Sequence, residues 1–90
     1  MLTHIPQEAL YVKGYDLGFP MFDERKKELT IVYEHKRPFS LRIKVLNDRT
    51  VLVTDNYRYA VRTPINRVRK ALKSYFKGHG YKTEFGNHAF

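Results

Sequence analysis

Between residues 29 and 62 the chain alternates between apolar and polar side chains almost step by step. In "LTIVYEH" (29–35), Leu29, Ile31 and Tyr33 share one face, and Thr30, Val32 and Glu34 share the other. "FSLRIKVL" (39–46) sets Phe39, Leu41, Ile43 and Val45 opposite Ser40, Arg42 and Lys44. "TVLVT" (50–54) continues the pattern, and "YRYAVR" (57–62) sets Tyr57, Tyr59 and Val61 opposite Arg58, Ala60 and Arg62. A period of two is the mark of a half-buried strand. The breaks "KRP", "NDR" and "DN" are turn-forming and short, so residues 29–62 predict an antiparallel meander with one apolar face.

Upstream the pattern is poorer. "EALYVKGY" (8–15) reads as a first strand broken by Gly14. "DLGFPMFDERKKE" (16–28), punctuated by Gly18 and Pro20, reads as a loop with one helical turn near residues 21–26.

After residue 62 the period changes. In "TPINRVRKALKSYFKGHG" (63–80), Ile65, Val68, Ala71, Leu72, Tyr75 and Phe76 recur at helical spacing. Thr63 suits the N-cap, Pro64 the first helical position, and Gly78 a left-handed stop. "YKTEF" (81–85) predicts a last strand, and 86–90 a loose tail. One apolar helix stripe must cover one apolar sheet face. The expectation is therefore a single α+β domain over 1–90. It has an antiparallel sheet of about four to five strands with one C-terminal amphipathic helix packed on one face.

Composition narrows the chemistry. At 90 residues the chain is one domain, able to bury roughly 60–65% of its unfolded surface. It has no cysteine, which excludes a disulfide framework and a thiolate zinc site. No apolar run reaches membrane-spanning length, and "MLTHIPQEAL" lacks the features of a signal peptide; a cytoplasmic location is expected. His4, His35, His79 and His88 stand at no metal-ligand spacing, so neither metal nor cofactor is expected. Glu34 and His35 are strand neighbours on opposite faces and make no acid–base pair. Asp23 and Glu24 run into three cations and read as a solvated loop. With no nucleophile motif and no phosphate cradle, the chain is not expected to be an enzyme.

Charge changes the picture most. The formal net charge is +8 and it is unevenly spread. Residues 1–55 hold nine Lys/Arg against eight Asp/Glu; residues 56–90 hold eight against one, Glu84. On the helix, Arg67, Arg69, Lys70, Lys73 and Lys77 lie away from the apolar stripe. Like charges three or four residues apart repel by roughly 0.2–0.5 kcal/mol per pair. Asp23, Glu24, Glu28 or Asp55 could neutralise the row from within the fold, leaving an ordinary solvated face. If they do not, a phosphate backbone is the natural counter-charge.

A second candidate row, Arg42, Lys44, Arg58 and Arg62, falls on the polar face of the sheet, from which arginine can fork onto guanine edges or phosphates. The leading expectation is a small basic nucleic-acid-binding protein in a regulatory or accessory role. It would contact the phosphate backbone, of DNA rather than RNA. The alternative is a protein-binding module, an inhibitor or adaptor docking on an acidic partner protein. A homodimer assisted by "GFPMF" (18–22) or by Ala89 and Phe90 is also compatible. Tyr33, Tyr57 and Tyr59 are expected in the core; Tyr11, Tyr15 and Tyr81 are the freer rings. A membrane partner is excluded by the helix stripe, which the core needs.

Overall fold

The structure is a computed structural model. It describes residues 5–18, 20–36, 38–56 and 62–87, with residues 62–64 described by backbone only. Pro6, in extended geometry, leads into a short helix α1 (Gln7–Leu10) with Glu8 in its first turn. This corrects the strand expected at 8–15. Gln, Glu, Ala and Leu are all good helix formers, and the alternation of Leu10 and Val12 comes instead from two buried anchors, 3% and 6% exposed. A turn through Gly14, with φ of 87°, leads on to β1.

Six strands form one sheet: β1 (Asp16–Leu17), β2 (Met21–Asp23), β3 (Glu28–Glu34), β4 (Phe39–Asn47), β5 (Thr50–Asp55) and β6 (Lys82–Asn87). Both β1 and β2 pair antiparallel with β3, so residues expected as a loop make one interrupted edge. The expected helical turn near 21–26 is absent. Asp23 Oδ1 instead accepts hydrogen bonds from the backbone N–H of Arg25 (2.9 Å) and Lys26 (3.2 Å), and Lys27 turns left-handed with φ of 50°. That is a side-chain-nucleated turn, and it returns the chain into β3.

The centre follows the alternation. Leu29 faces Ile43, Ile31 faces Leu41, and Tyr33 faces Phe39; Ile43 faces Val53 across the next pair. All are buried. Leu46 is the extra residue of a bulge between Val45 and Asn47, and it is 45% exposed.

The sheet is mixed, not wholly antiparallel, and exceeds the expected strand number. After β5 the chain enters helix α2 (Arg62–Gly78) and returns as β6, parallel to β5. Parallel neighbours need a crossover of about a dozen residues or more, which a helix of this length supplies. The fourth meander strand, expected at 57–62, lies outside the described residues up to 61. Arg62 opens the helix rather than ending a strand, ahead of the Thr63 cap expected from sequence. Gly86 and Asn87, expected in a tail over 86–90, belong to β6; residues 88–90 lie outside the described residues.

On α2, Ile65, Val68, Leu72 and Phe76 are buried against the apolar sheet face. The helix ends at Gly78, but the left-handed residue expected there comes two residues later. Gly80 holds the left-handed φ of 82°, its N–H donates to the Lys77 carbonyl (3.1 Å), and the Tyr81 N–H donates to the Phe76 carbonyl (2.9 Å). This pair of bonds is the Schellman closure, in which the residue after the glycine packs back on the helix. Tyr81 does so, partly buried against the core.

Candidate nucleic-acid interface

All nine acidic residues lie among the described residues. A carboxylate that folded over the helix row would therefore be visible. One does: Asp55, fully buried, pairs with the Nη2 of Arg69. Asp55 stands on the core face of β5, opposite Leu41. The amide orientation of Asn87 that satisfies its neighbours donates to Asp55 Oδ1 at 3.2 Å. The Arg69 guanidinium also lies 5.5 Å from the centre of the Phe85 ring, close enough for a cation–π contact. Its Nε is buried and has no partner among the described residues.

Arg69 is therefore a clamp tying α2 to β5 and β6, and it leaves the exposed row. The helical wheel carries the reason. Arg69 precedes Phe76 by seven residues, so the two project within about 20° of each other. Arg69 sits at the flank of the apolar stripe, not opposite it.

The other four members of the row behave differently. Arg67, Lys70, Lys73 and Lys77 are exposed, and none has an ion pair with any described carboxylate. They span about 15 Å along the helix axis at 1.5 Å per residue. Asp23, Glu24 and Glu28, considered above as neutralising partners, do not reach them.

The second row does not assemble as expected. Arg42 and Lys44 share the polar sheet face, but Arg62 belongs to the helix, and Arg58 lies outside the described residues. Lys44 stands between Glu28 and Leu52, with Glu84 one strand further along the same line. Asp23 pairs with Glu28 beyond it. Arg42 lies between Thr30 and Thr54 and borders a cleft of about 430 Å³ that also includes Asp23, Lys26 and Glu28. The polar sheet face thus mixes both signs, whereas the outer face of α2 carries one.

A groove lies beside the helix row, between the last turns of α2 and the start of β6. Its volume is about 460 Å³, and its lining is Lys73, Lys77, Gly80, Tyr81, Lys82 and Thr83. Three of these six residues are lysines, one is aromatic and none is acidic. Sequence reasoning passed over Lys82 and counted Tyr81 only among the freer rings. Their signal was the Gly80 stop, which folds the next two residues back beside Lys77.

The other described aromatics divide between core and surface. Tyr33 is buried, as expected, and its hydroxyl donates to the Leu10 carbonyl at 2.6 Å. Burial holds that phenol well above its ordinary pKa. Tyr15 stacks on His35 with ring centres 4.4 Å apart, and Tyr75 packs on His79 at 4.5 Å. Tyr11 is exposed; Tyr57 and Tyr59, like His4 and His88, lie outside the described residues. Among the described residues no three His, Asp or Glu side chains gather as metal ligands, and no helix is long and apolar enough to cross a membrane.

No protein-family model matches the chain, and neither the curated proteins nor the solved structures give a match. The reading of function therefore rests on this geometry alone.

Proposed function

We propose that the protein binds nucleic acid through the phosphate backbone, with the outer face of α2 as its docking surface. One observation carries this reading. All nine Asp and Glu lie among the described residues, and none of them pairs with Arg67, Lys70, Lys73 or Lys77. Holding like charges at three- and four-residue spacing works against the helix. A polyanion removes that repulsion and releases its own counter-ions on binding. DNA duplex is the preferred target, because a straight cationic row can follow a regular backbone. Lysine, which dominates the row, acts as a point charge without a fork for base edges, so binding is expected to be largely indifferent to sequence.

The test is retention of duplex DNA across a salt series. Four neutralised phosphates give a slope of log affinity against log salt near about −3.6. Lys70→Glu with Lys73→Glu should abolish retention. Arg42→Glu with Lys44→Glu should weaken it only slightly. A flat salt response, or loss from the sheet pair alone, would overturn the assignment.

A second reading, docking on an acidic protein, draws on a different observation. Met21 is 60% and Phe22 41% exposed at the β2 edge. Such apolar side chains can anchor a protein interface. Under that reading Met21→Ser with Phe22→Ser removes partner binding and leaves DNA retention intact.

A further inference from the structure

We infer that the groove between the C-terminal half of α2 and the start of β6 receives an unpaired nucleotide, its base against Tyr81 and its phosphates between Lys73, Lys77 and Lys82. This rests on the nucleic-acid reading above and adds to the duplex-docking face a site for a single-stranded stretch or end.

Three features support it. The first is size and composition. A space of about 460 Å³ falls within the range of about 300–1,000 Å³ typical of small-ligand sites. Three of its six lining residues are lysines and none is acidic. The second is the fixation of Tyr81. Its N–H is bonded to the Phe76 carbonyl and its ring packs partly on the core, so little side-chain freedom is lost when a base stacks on it. The third is access. Nothing lies within 4 Å of where a Cβ would stand on Gly80, so the backbone at the groove wall is open to a close approach.

A base inside a duplex has both faces covered by its neighbours. Only an unpaired base can offer a face to a ring held in a groove. Stacking of this kind tolerates any base, which agrees with lysines that bind phosphate without reading base edges. The groove opens beside Lys73 and Lys77, the last two cations of the row. A backbone tracked along α2 thus reaches it at the C-terminal end of the helix.

The experiment compares three probes at low salt: a thymidine decamer, a blunt duplex of equal length, and the same duplex with a four-nucleotide overhang. The proteins are the wild type, Tyr81→Leu, Tyr81→Phe and the double variant Lys73→Gln/Lys77→Gln. Leucine keeps apolar volume against the core; phenylalanine keeps the ring. For the decamer and the overhang, Tyr81→Leu should lose about tenfold or more in affinity with an unchanged salt slope. Tyr81→Phe should retain binding, and the blunt duplex should not notice either change. The lysine pair should weaken all three probes and flatten the salt slope.

If Tyr81→Leu leaves the decamer unaffected, or weakens the blunt duplex equally, the nucleotide site is wrong while the phosphate-docking face stands. If the wild type retains no probe, both fall. Photo-crosslinking of a 5-iodouracil decamer to the wild type gives a reading that needs no variant to fold. A crosslink at Tyr81 supports the site, and one confined to other residues overturns it.

Discussion

The Arg69–Asp55 pair decides whether Arg69 serves the fold or the surface, and a mutant cycle separates the two. Asp55 has no exposed side-chain area, and Arg69 has 25%. Removing one partner of a fully buried pair costs about 3–5 kcal/mol, because the other charge is stranded. In Arg69→Met the stranded group is a carboxylate that keeps, among the described residues, only the Asn87 amide. The methionine retains apolar contact with Phe85, so the loss should be near the lower end, about 3 kcal/mol. Asp55→Asn strands a cation that already reaches water. It loses one charge-assisted hydrogen bond, and about 2 kcal/mol is expected. With both changes no charge is left buried, so the double variant should be more stable than the sum of the singles implies, by about 1–2 kcal/mol.

Urea unfolding followed by circular dichroism measures all four proteins. A chain of this length has only about 5–13 kcal/mol in total, so the single variants will show clearly shifted midpoints. The folded fraction of Arg69→Met should bind duplex DNA with the wild-type salt slope. If the two changes add within about 0.5 kcal/mol, or if Arg69→Met is without cost, the clamp is not real. Arg69 would then return to the docking row.

Three further outcomes are expected. Lys73→Gln removes repulsion from Lys70 and Lys77 and gives up a phosphate contact. Its urea midpoint should hold or rise while the salt slope for DNA becomes shallower by about 0.9; a lowered midpoint would reveal an internal partner. Gly80→Ala places a side chain at φ of 82°, and thermal unfolding should show a loss of about 1–2 kcal/mol. Tyr33 has its phenol pKa raised from 10.0 by burial. The contribution of its neutral form is fully present below that pH and is lost as pH rises beyond it, because only the unfolded chain can ionise there. The decline is at most about 1.4 kcal/mol per pH unit. Tyr33→Phe should cost about 1–2 kcal/mol at neutral pH through the abandoned Leu10 carbonyl, and it should flatten the alkaline decline. Parallel pH curves for the two proteins would contradict this.

What the chain alone determined were the elements whose burial repeats along the backbone. β3, β4, β5 and α2 each carry several large apolar residues at a single period, and one period admits one face. The two-layer α+β arrangement followed, because a helix stripe and a sheet face must meet. The cationic helix face was also legible, since Arg67, Lys70, Lys73 and Lys77 lie clear of Ile65, Val68, Leu72 and Phe76. Tertiary structure decided the rest. β2 is three exposed residues, a strand only because β3 offers its edge. The parallel place of β6 depends on where α2 returns the chain, which no local period encodes. Asp55 looks like a turn residue in sequence, yet it lies in the core because Arg69 and Asn87 arrive from two other elements to satisfy its charge. The groove exists because Gly80 folds Tyr81 and Lys82 back beside Lys73 and Lys77, and such a meeting of distant side chains leaves no repeat for a sequence to display.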